Sequence, residues 1–155
     1  MGKLLADRIK QESFSSPFQE AMLSLIVASD RLLRTMEDTC SAYGITAAQY
    51  NVLRILRGVY PGGHPRCDII DRMLTVAPDV TRLIDRLEKL ELAERTKSEE
   101  DRRLSLTKIT QKGLDLLDRM QKDMDDFDNK LKEYMSLEDA RKLTELAEQV
   151  SLSMQ

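Results

Sequence analysis

Apolar residues recur every three or four positions over most of the chain, a spacing that places them on one face of a helix. The first long stretch starts at Ser16-Pro17, where a capping side chain precedes a proline suited to the first helical position. It ends at Gly44, a typical residue just past a helix terminus. The pattern therefore predicts one long helix with the apolar stripe Phe18, Met22, Leu25, Ile26, Leu32, Leu33, Met36 and Tyr43.

A second helix is predicted to follow at once. Thr46 and Gln49 have the spacing of a capping box, in which each side chain satisfies a backbone N–H of the other residue. The helix is expected to bury Tyr50, Leu53, Ile55 and Leu56. It should stop before a run rich in proline and glycine, residues 60–65, which predicts a loop with a solvated His64.

Two shorter helices joined by a tight connection come next. The first covers roughly Cys67 to Leu74, with Ile69, Ile70, Met73 and Leu74 facing inwards. In the second, the apolar residues are Val80, Leu83, Ile84, Leu87 and Leu90. Its other face carries Thr81, Arg82, Asp85, Arg86 and Lys89. Two such helices across a short turn predict a helix-turn-helix, whose second helix is the recognition helix.

The period changes after Leu90. Residues 92–96 and 104–109 alternate between apolar and polar positions and read as two short strands. The loop between them runs from Lys97 to Arg103 and includes the charged stretch SEEDRR. A β-hairpin directly after a recognition helix is the wing of a winged helix, so the fold class expected is mainly α with a small β-hairpin wing.

Two further helices are predicted after the hairpin. Thr110 is placed to cap a long helix whose apolar residues are spaced close to a heptad seam. These residues are Leu114, Leu117, Met120, Met124, Phe127, Leu131 and Tyr134. Ser136 starts the last helix, which carries Leu137, Ala140, Leu143, Leu146, Ala147 and Val150.

Charge is partitioned along the chain. The net charge of −3 argues against a simple basic coat for nucleic acid. From Arg54 to Lys112, however, 13 lysines and arginines face 10 acidic residues, giving +3, and the remainder carries −6. This suggests that the middle of the chain meets an anion.

The chain has the features of a cytoplasmic protein. Its start is charged too soon for a signal peptide. Its longest apolar runs, such as Leu25 to Ala28, are too short to cross a bilayer. We therefore expect it in the cytoplasm.

The side chains offer little for catalysis or metal binding. Cys40 and Cys67 are far apart and His64 is the only histidine, too few ligands for a zinc site. No set of nucleophile, histidine and acid is available, and there is no glycine-rich phosphate loop. We expect a protein that is not an enzyme and uses no cofactor, with Met120, Met124 and Met135 serving packing.

Several segments together resemble the MarR family of bacterial transcription regulators. One segment alone would be weak, but they come in the family's order at nearly the family's spacing, over about residues 16–152. The segments are GIT (44–46), QYNVLRIL (49–56), VTRLIDRLE (80–88), EDRR (100–103) and KITQKG (108–113).

The resemblance implies a homodimer that binds double-stranded DNA. Its first and last helices would interlock, and two winged helix-turn-helix lobes would reach successive major grooves of a near-palindromic site. The domains expected are an N-terminal arm and dimerisation helix (1–44), the DNA-binding lobe (45–110) and C-terminal dimerisation helices (111–155).

Site residues follow from the same resemblance. Arg82, with Asp79 and Thr81, would lie near base edges or phosphates, and Arg86 matches the second basic position of the recognition helix. Arg103 would enter the minor groove, whose narrow stretches concentrate negative potential. Asp101 would hold a neighbouring arginine in place. Arg102 is interpreted as a phosphate contact or a plain surface charge.

Two positions depart from the family pattern. Glu91 stands where the family usually has glycine, between the recognition helix and the wing. The connection from Thr75 to Asp79 is one residue shorter than the common form. Both departures concern the two ends of the recognition helix.

Three functions remain open on the sequence. The first is a DNA-binding regulator, expected to be a repressor, whose small-molecule effector binds where the dimer helices meet the DNA lobes. The second is a protein-binding winged helix in a larger assembly. The third is a regulator switched by oxidation of Cys40 or Cys67. The family resemblance disfavours it, because the thiol-sensing branch of the family has its reactive cysteine near the start of the first helix, where this chain has none.

Overall fold

A computed structural model of the 155-residue chain describes residues 2–11, 13–75, 79–98 and 103–154. The secondary structure of these ranges is, in chain order, α1 (Lys3–Ile9), α2 (Pro17–Ala42), α3 (Ala47–Arg57), β1 (His64–Pro65), α4 (Arg66–Asp71), α5 (Val80–Lys89), β2 (Ala93–Lys97), β3 (Ser105–Ile109), α6 (Gln111–Tyr134) and α7 (Leu137–Leu152). The chain divides into two compact units, Met1–Leu114 and Asp115–Gln155. Along the described ranges, every helix is too short or too polar to cross a membrane. The fold is therefore mainly α with a small sheet, as the sequence predicts.

Helix α2 begins and ends where its capping residues predict. The Ser16 side chain accepts a hydrogen bond from the Gln19 N–H, with Pro17 at the first helical position. Gly44 follows the helix at φ +77°, a left-handed conformation that glycine adopts without steric cost. The apolar stripe of α2 is largely uncovered: Phe18 is 86% exposed and Ile26 57%. This long helix thus presents an unpaired apolar face.

The core of the first unit is built around α3. Thr46 and Gln49 form the predicted capping box, and the N–H of Ala47 is satisfied by the Glu37 carboxylate at 2.8 Å. Val52, Leu53 and Leu56 are fully buried. Helix α3 packs against α2, α5 and β3. It is therefore the element on which the helix-turn-helix is assembled.

Helix α3 holds the chain at Leu74, after the end of α4. The side-chain oxygen of Asn51 accepts a hydrogen bond of 2.9 Å from the N–H of Leu74. Helix α4 is shorter than the sequence predicts, and the prediction that its apolar residues face inwards is wrong for two of them. Ile69 is fully buried, but Ile70 is 46% exposed and Leu74 80%. The helix ends at Asp71, so these side chains lie at or beyond its last turn, outside the amphipathic pattern.

The sheet has three antiparallel strands in the order β1-β3-β2. The hairpin of β2 and β3 pairs Ala93 with Ile109 and Lys97 with Ser105, close to the two predicted strands. The loop predicted for residues 60–65 is partly wrong, because His64 pairs with Thr107 as part of β1. The prediction that His64 is solvated is also wrong, since its side chain is only 12% exposed and its Nδ1 lies 3.4 Å from the Asp68 carboxylate.

The junction between β3 and α6 explains the glycine of the KITQKG segment. The Thr110 hydroxyl accepts a hydrogen bond of 3.1 Å from the Gly113 N–H and so caps α6 as predicted. A Cβ atom on Gly113 would lie 2.3 Å from the Leu92 carbonyl oxygen. No side chain fits at this approach, so glycine is required where the wing meets the helix.

The second unit consists of the later part of α6 followed by α7. Ser136 and Asp139 form a capping box at the start of α7. Leu116, Leu117 and Met120 are buried, whereas α7 has no buried residue. Tyr134 is 86% exposed and Leu146 49%. The unit thus leaves an apolar helix face open, like α2 in the first unit.

Candidate DNA-binding surface

Helix α5 is fixed in place by a polar cap and an apolar underside. Oδ1 of Asp79 accepts a hydrogen bond of 2.9 Å from the Arg82 N–H, so the Asp79 carboxylate closes the first turn. Val80, Ile84 and Leu87 are buried. Burial of such side chains stabilises the packed helix by roughly 1.5–3 kcal/mol each. The opposite face is thereby held outwards.

The outward face of α5 is a stripe of cations. Arg82, Arg86 and Lys89 are exposed and lie four and three positions apart, which places them on one side of a helix. Two predicted site residues, Arg82 and Arg86, therefore share one surface. We call Arg82, Arg86 and Lys89 the arginine face of α5.

Thr81 lies at the edge of this face and contacts another helix. Nη1 of Arg66, the first residue of α4, donates a hydrogen bond of 2.9 Å to Oγ1 of Thr81. Arg66 is exposed and Thr81 half-buried. The contact adds a cation beside the first turn of α5. Sequence reasoning misses it, because no local pattern links two residues 15 positions apart.

The acidic residues of α5 turn towards the wing. Nη2 of Arg95 lies 2.6 Å from Oδ1 of Asp85, and Nη1 of Arg95 pairs with the Glu88 carboxylate. The backbone N–H of Arg95 also donates to Glu88 at 3.0 Å. Asp85 therefore links α5 to the first strand of the wing and is not a free surface charge. We call Asp85, Glu88 and Arg95 the wing clamp.

The end of the wing is described in part. The Ser98 N–H donates to the Leu104 carbonyl at 2.9 Å, which closes the hairpin. Arg103 lies in a turn directly before β3 and is exposed. Asp101 and Arg102 lie outside the described residues. Of the three predicted wing residues, the structure thus places Arg103 at the distal end of the hairpin.

Glu91 links α5 to the wing in a left-handed conformation. Its φ is +61°, in the region that glycine adopts most readily. Its carbonyl accepts from the Thr110 hydroxyl at 2.7 Å, and its carboxylate lies 2.8 Å from Nζ of Lys112. The Lys112 ammonium holds the pKa of Glu91 below its ordinary value of 4.5. The departure from the family's glycine therefore keeps the backbone conformation that glycine would adopt.

Other chemistry is sparse in the parts of the chain that the structure covers. Among the described residues no group of histidine, cysteine and acidic side chains could hold a metal ion. Cys40 is fully buried, and burial raises the pKa of its thiol to about 11. Cys67 is exposed. The exposed Arg82, Arg86 and Lys89 of α5 form a basic surface of the kind that binds anionic polymers.

Comparison with known proteins identifies the fold and the family. Residues 45–105 match the family model described as the MarR family. The transcriptional regulator MhqR of Bacillus subtilis (strain 168) is 28% identical over 138 residues, covering 86% of this chain and 94% of MhqR.

Solved structures agree with this match. A MarR transcription factor from Planctomyces limnophilus is 36% identical, with a TM-score of 0.66 and coverage of 88% of this chain and 98% of that one. A complex of S. aureus MepR with DNA has a TM-score of 0.73 at 20% identity, with coverage of 92% and 100%. The chain belongs to the MarR family and is a DNA-binding transcription regulator of the helix-turn-helix type.

Proposed function

We propose that the protein is a homodimeric repressor that binds a near-palindromic duplex with α5 and the wing and responds to a small-molecule effector. It would act in the cytoplasm, where it has access to the chromosome. The observation that carries the proposal is the arginine face of α5, which stands outwards beside a wing that ends near Arg103. S. aureus MepR, which has the same fold, forms a complex with DNA, and this supports a DNA target for the present chain.

The arginine and aspartate side chains of the site have distinct proposed roles. Arg82 and Arg86 contact base edges or phosphates in the major groove, because their guanidinium groups offer paired donors that match both. Arg103 enters the minor groove. Arg102 contacts a phosphate, and Asp101 orients a neighbouring arginine. Asp79 acts close to the DNA by capping α5, which leaves the basic side chains as the anion contacts.

The dimer is supported by two uncovered apolar faces. The stripe of α2 is exposed at Phe18 and Ile26. Helix α7 buries none of its side chains, although Leu143, Leu146 and Val150 line one side of it. An amphipathic helix of this kind gains most of its stability from packing its apolar face. A second copy of the chain would cover these faces and present two α5 helices to one duplex.

Effector control would operate by population shift. A ligand that prefers one separation of the two DNA-binding lobes weakens DNA binding by its difference in affinity for the two states. The effector cavity predicted between the dimer helices and the DNA lobes stays a proposal. Within the second unit, Leu131, Met135, Leu137 and Ala140 line a groove of about 420 Å³ at the turn from α6 to α7.

The dimer is tested by sedimentation together with footprinting on the DNA upstream of the gene. Leu146→Glu places a charge on the apolar stripe of α7 and should give a monomer that protects at most one half-site. Gln149→Glu adds the same charge to α7 off that stripe and should leave a dimer and a full two-fold footprint. A wild-type monomer with a complete footprint would contradict the dimer. A dimer without any footprint would contradict the DNA target.

A further inference from the structure

We propose that Arg66 is a positioning residue for DNA recognition, which acts by setting the direction of the Thr81 hydroxyl. The inference rests on the proposed use of α5 as the recognition helix. Its basis is the hydrogen bond of 2.9 Å between Nη1 of Arg66 and Oγ1 of Thr81. The segments that carry the family resemblance do not include Arg66, which follows Pro65 at the start of a short helix.

The direction of this hydrogen bond is fixed by chemistry. A guanidinium group only donates, so the Thr81 oxygen must accept. A hydroxyl that accepts from one neighbour still has its own proton to donate. Arg66 therefore occupies one lone pair of the Thr81 oxygen and orients the hydroxyl, whose proton remains available to donate to a third group.

The position of Thr81 makes DNA the partner for that proton. Thr81 is the second residue of α5, in the turn capped by Asp79. The N-terminal residues of a recognition helix are those that contact base edges. The acceptors offered there are N7 and O6 of guanine, N7 of adenine, O4 of thymine and the phosphate oxygens.

Arg66 also contributes directly to the charge of the surface. Its side chain is exposed, and one hydrogen bond to Thr81 uses only one of the several N–H groups of the guanidinium. The remaining donors suit a phosphate beside the groove, since the first helix of a helix-turn-helix crosses the backbone. One arginine would then contact the backbone and orient a hydroxyl of the recognition helix.

A double-mutant cycle with Arg66→Ala and Thr81→Val tests this pairing. The measurement is Kd for a duplex selected from a random pool with the full-length chain. Each single change should weaken binding about tenfold, the usual effect of losing one good hydrogen bond to a charged group. The double variant should be only slightly weaker than Arg66→Ala alone, because the two residues act as one unit. Independent effects that multiply would overturn the positioning role.

Chemical changes in the duplex identify the group that Thr81 meets. A scan with 7-deaza purines, with 2-aminopurine for guanine and with 4-thiothymine for thymine removes or weakens the N7, O6 and O4 acceptors one at a time. A methylphosphonate scan removes phosphate charge. One substitution should weaken the wild type while having no further effect on Thr81→Val. If that substitution is a base analogue, Thr81 contacts a base, and if it is a methylphosphonate, Thr81 contacts the backbone. A substitution pattern identical in both proteins would overturn the inference.

Arg72→Ala is the matched control. Arg72 lies at the other end of the same helix and pairs with Asp68, so the substitution removes the same charge as Arg66→Ala away from Thr81. It should leave the substitution pattern unchanged and cost less affinity than Arg66→Ala. If Arg66→Ala binds like wild type while Arg82→Ala binds weakly, the inference fails and the proposed function stands. If the wild type selects no duplex at all, both fail.

Discussion

Nη2 of Arg95, in the first strand of the wing, lies 2.6 Å from Oδ1 of Asp85, in the recognition helix α5. Together with the pairing of Arg95 and Glu88, this contact ties the wing to the helix beside it. Two acidic side chains are thereby paired on the side of α5 that faces the wing. The wing clamp thus separates the charges of α5 into a basic outward face and an acidic face towards the hairpin.

Asp85→Asn is expected to weaken DNA binding severalfold, although it removes a negative charge from the helix proposed to bind DNA. Simple electrostatics predicts tighter binding for this variant. Loosening of the wing predicts weaker binding, because the complex must then order the hairpin, at a cost of about 1 kcal/mol. Titration of the duplex with each protein decides between them.

Arg95→Ala should give the same direction of change, together with a loss of stability of about 1 kcal/mol, since the pairs are partly exposed. Arg34→Ala serves as the control, because it breaks an exposed pair in α2 and should leave DNA affinity unchanged. Tighter binding by Asp85→Asn would show that the clamp does not position the wing.

Glu91→Gly is expected to stabilise the fold, whereas Glu91→Ala is not. A non-glycine residue at φ +61° carries a steric cost of roughly 1–2 kcal/mol. Glycine removes that cost and loses about 0.5–1 kcal/mol through its larger unfolded-state entropy. The exposed pair with Lys112 adds little.

Urea unfolding should therefore rank the glycine variant as most stable, by at most about 1 kcal/mol over wild type. The alanine variant should lie at or just below wild type, since it keeps the left-handed backbone and loses the pair with Lys112. A glycine variant less stable than the alanine variant by about 0.5–1 kcal/mol would mean that the backbone at Glu91 is unstrained.

Acid should destabilise the first unit in part through Asp30. Hydrogen bonds from the guanidinium groups of Arg34 and Arg8 hold the pKa of Asp30 below its ordinary value of 3.8. A lowered folded-state pKa gives stability that is present above the ordinary value and is lost as pH falls through the folded value. Asp30→Asn should show a shallower decline of unfolding free energy below about pH 4. An unchanged slope would remove Asp30 from the acid response.

The two thiols should differ sharply in reactivity. Cys67 is exposed, whereas Cys40 is fully buried with a pKa raised to about 11, and only the thiolate is reactive. Iodoacetamide at neutral pH should label Cys67 in the native protein and Cys40 only after unfolding. Mass spectrometry reads both sites.

Peroxide should also leave DNA binding unchanged, in wild type and in Cys67→Ser alike. A peroxide response that disappears in Cys67→Ser would revive regulation by oxidation, and one that disappears in Cys40→Ser would contradict the burial of that thiol.

Local signals account for what the sequence predicts well. The caps at Ser16, Thr46 and Ser136 each satisfy backbone groups within three residues, so their spacing is readable directly. The hairpin and the recognition helix follow from a change of period at Leu90. These features establish the fold class and bring Arg82 and Arg86 to one surface.

Tertiary contacts account for what the sequence misses. Arg66 meets Thr81, and Arg95 meets Asp85, only because separate elements pack together. His64 is drawn into the sheet by pairing with Thr107 on a distant strand. The conformation of Glu91 is likewise set by the junction it bridges. The periodicity of apolar and polar residues along the chain does not predict which distant residues come into contact.

Salt-dependent binding of a duplex tests most directly whether the arginine face of α5 and Arg103 contact DNA. For wild type, the Kd for the selected duplex should rise steeply with salt concentration. Arg82→Ala or Arg103→Ala should weaken binding at least tenfold and make the dependence of Kd on salt less steep. Arg31→Ala, an exposed arginine of α2, is the control and should bind like wild type. Melting temperatures should be unchanged in all three variants. Binding whose Kd does not change with salt would contradict DNA contact by these residues. So would a loss of affinity that always accompanies a loss of melting temperature.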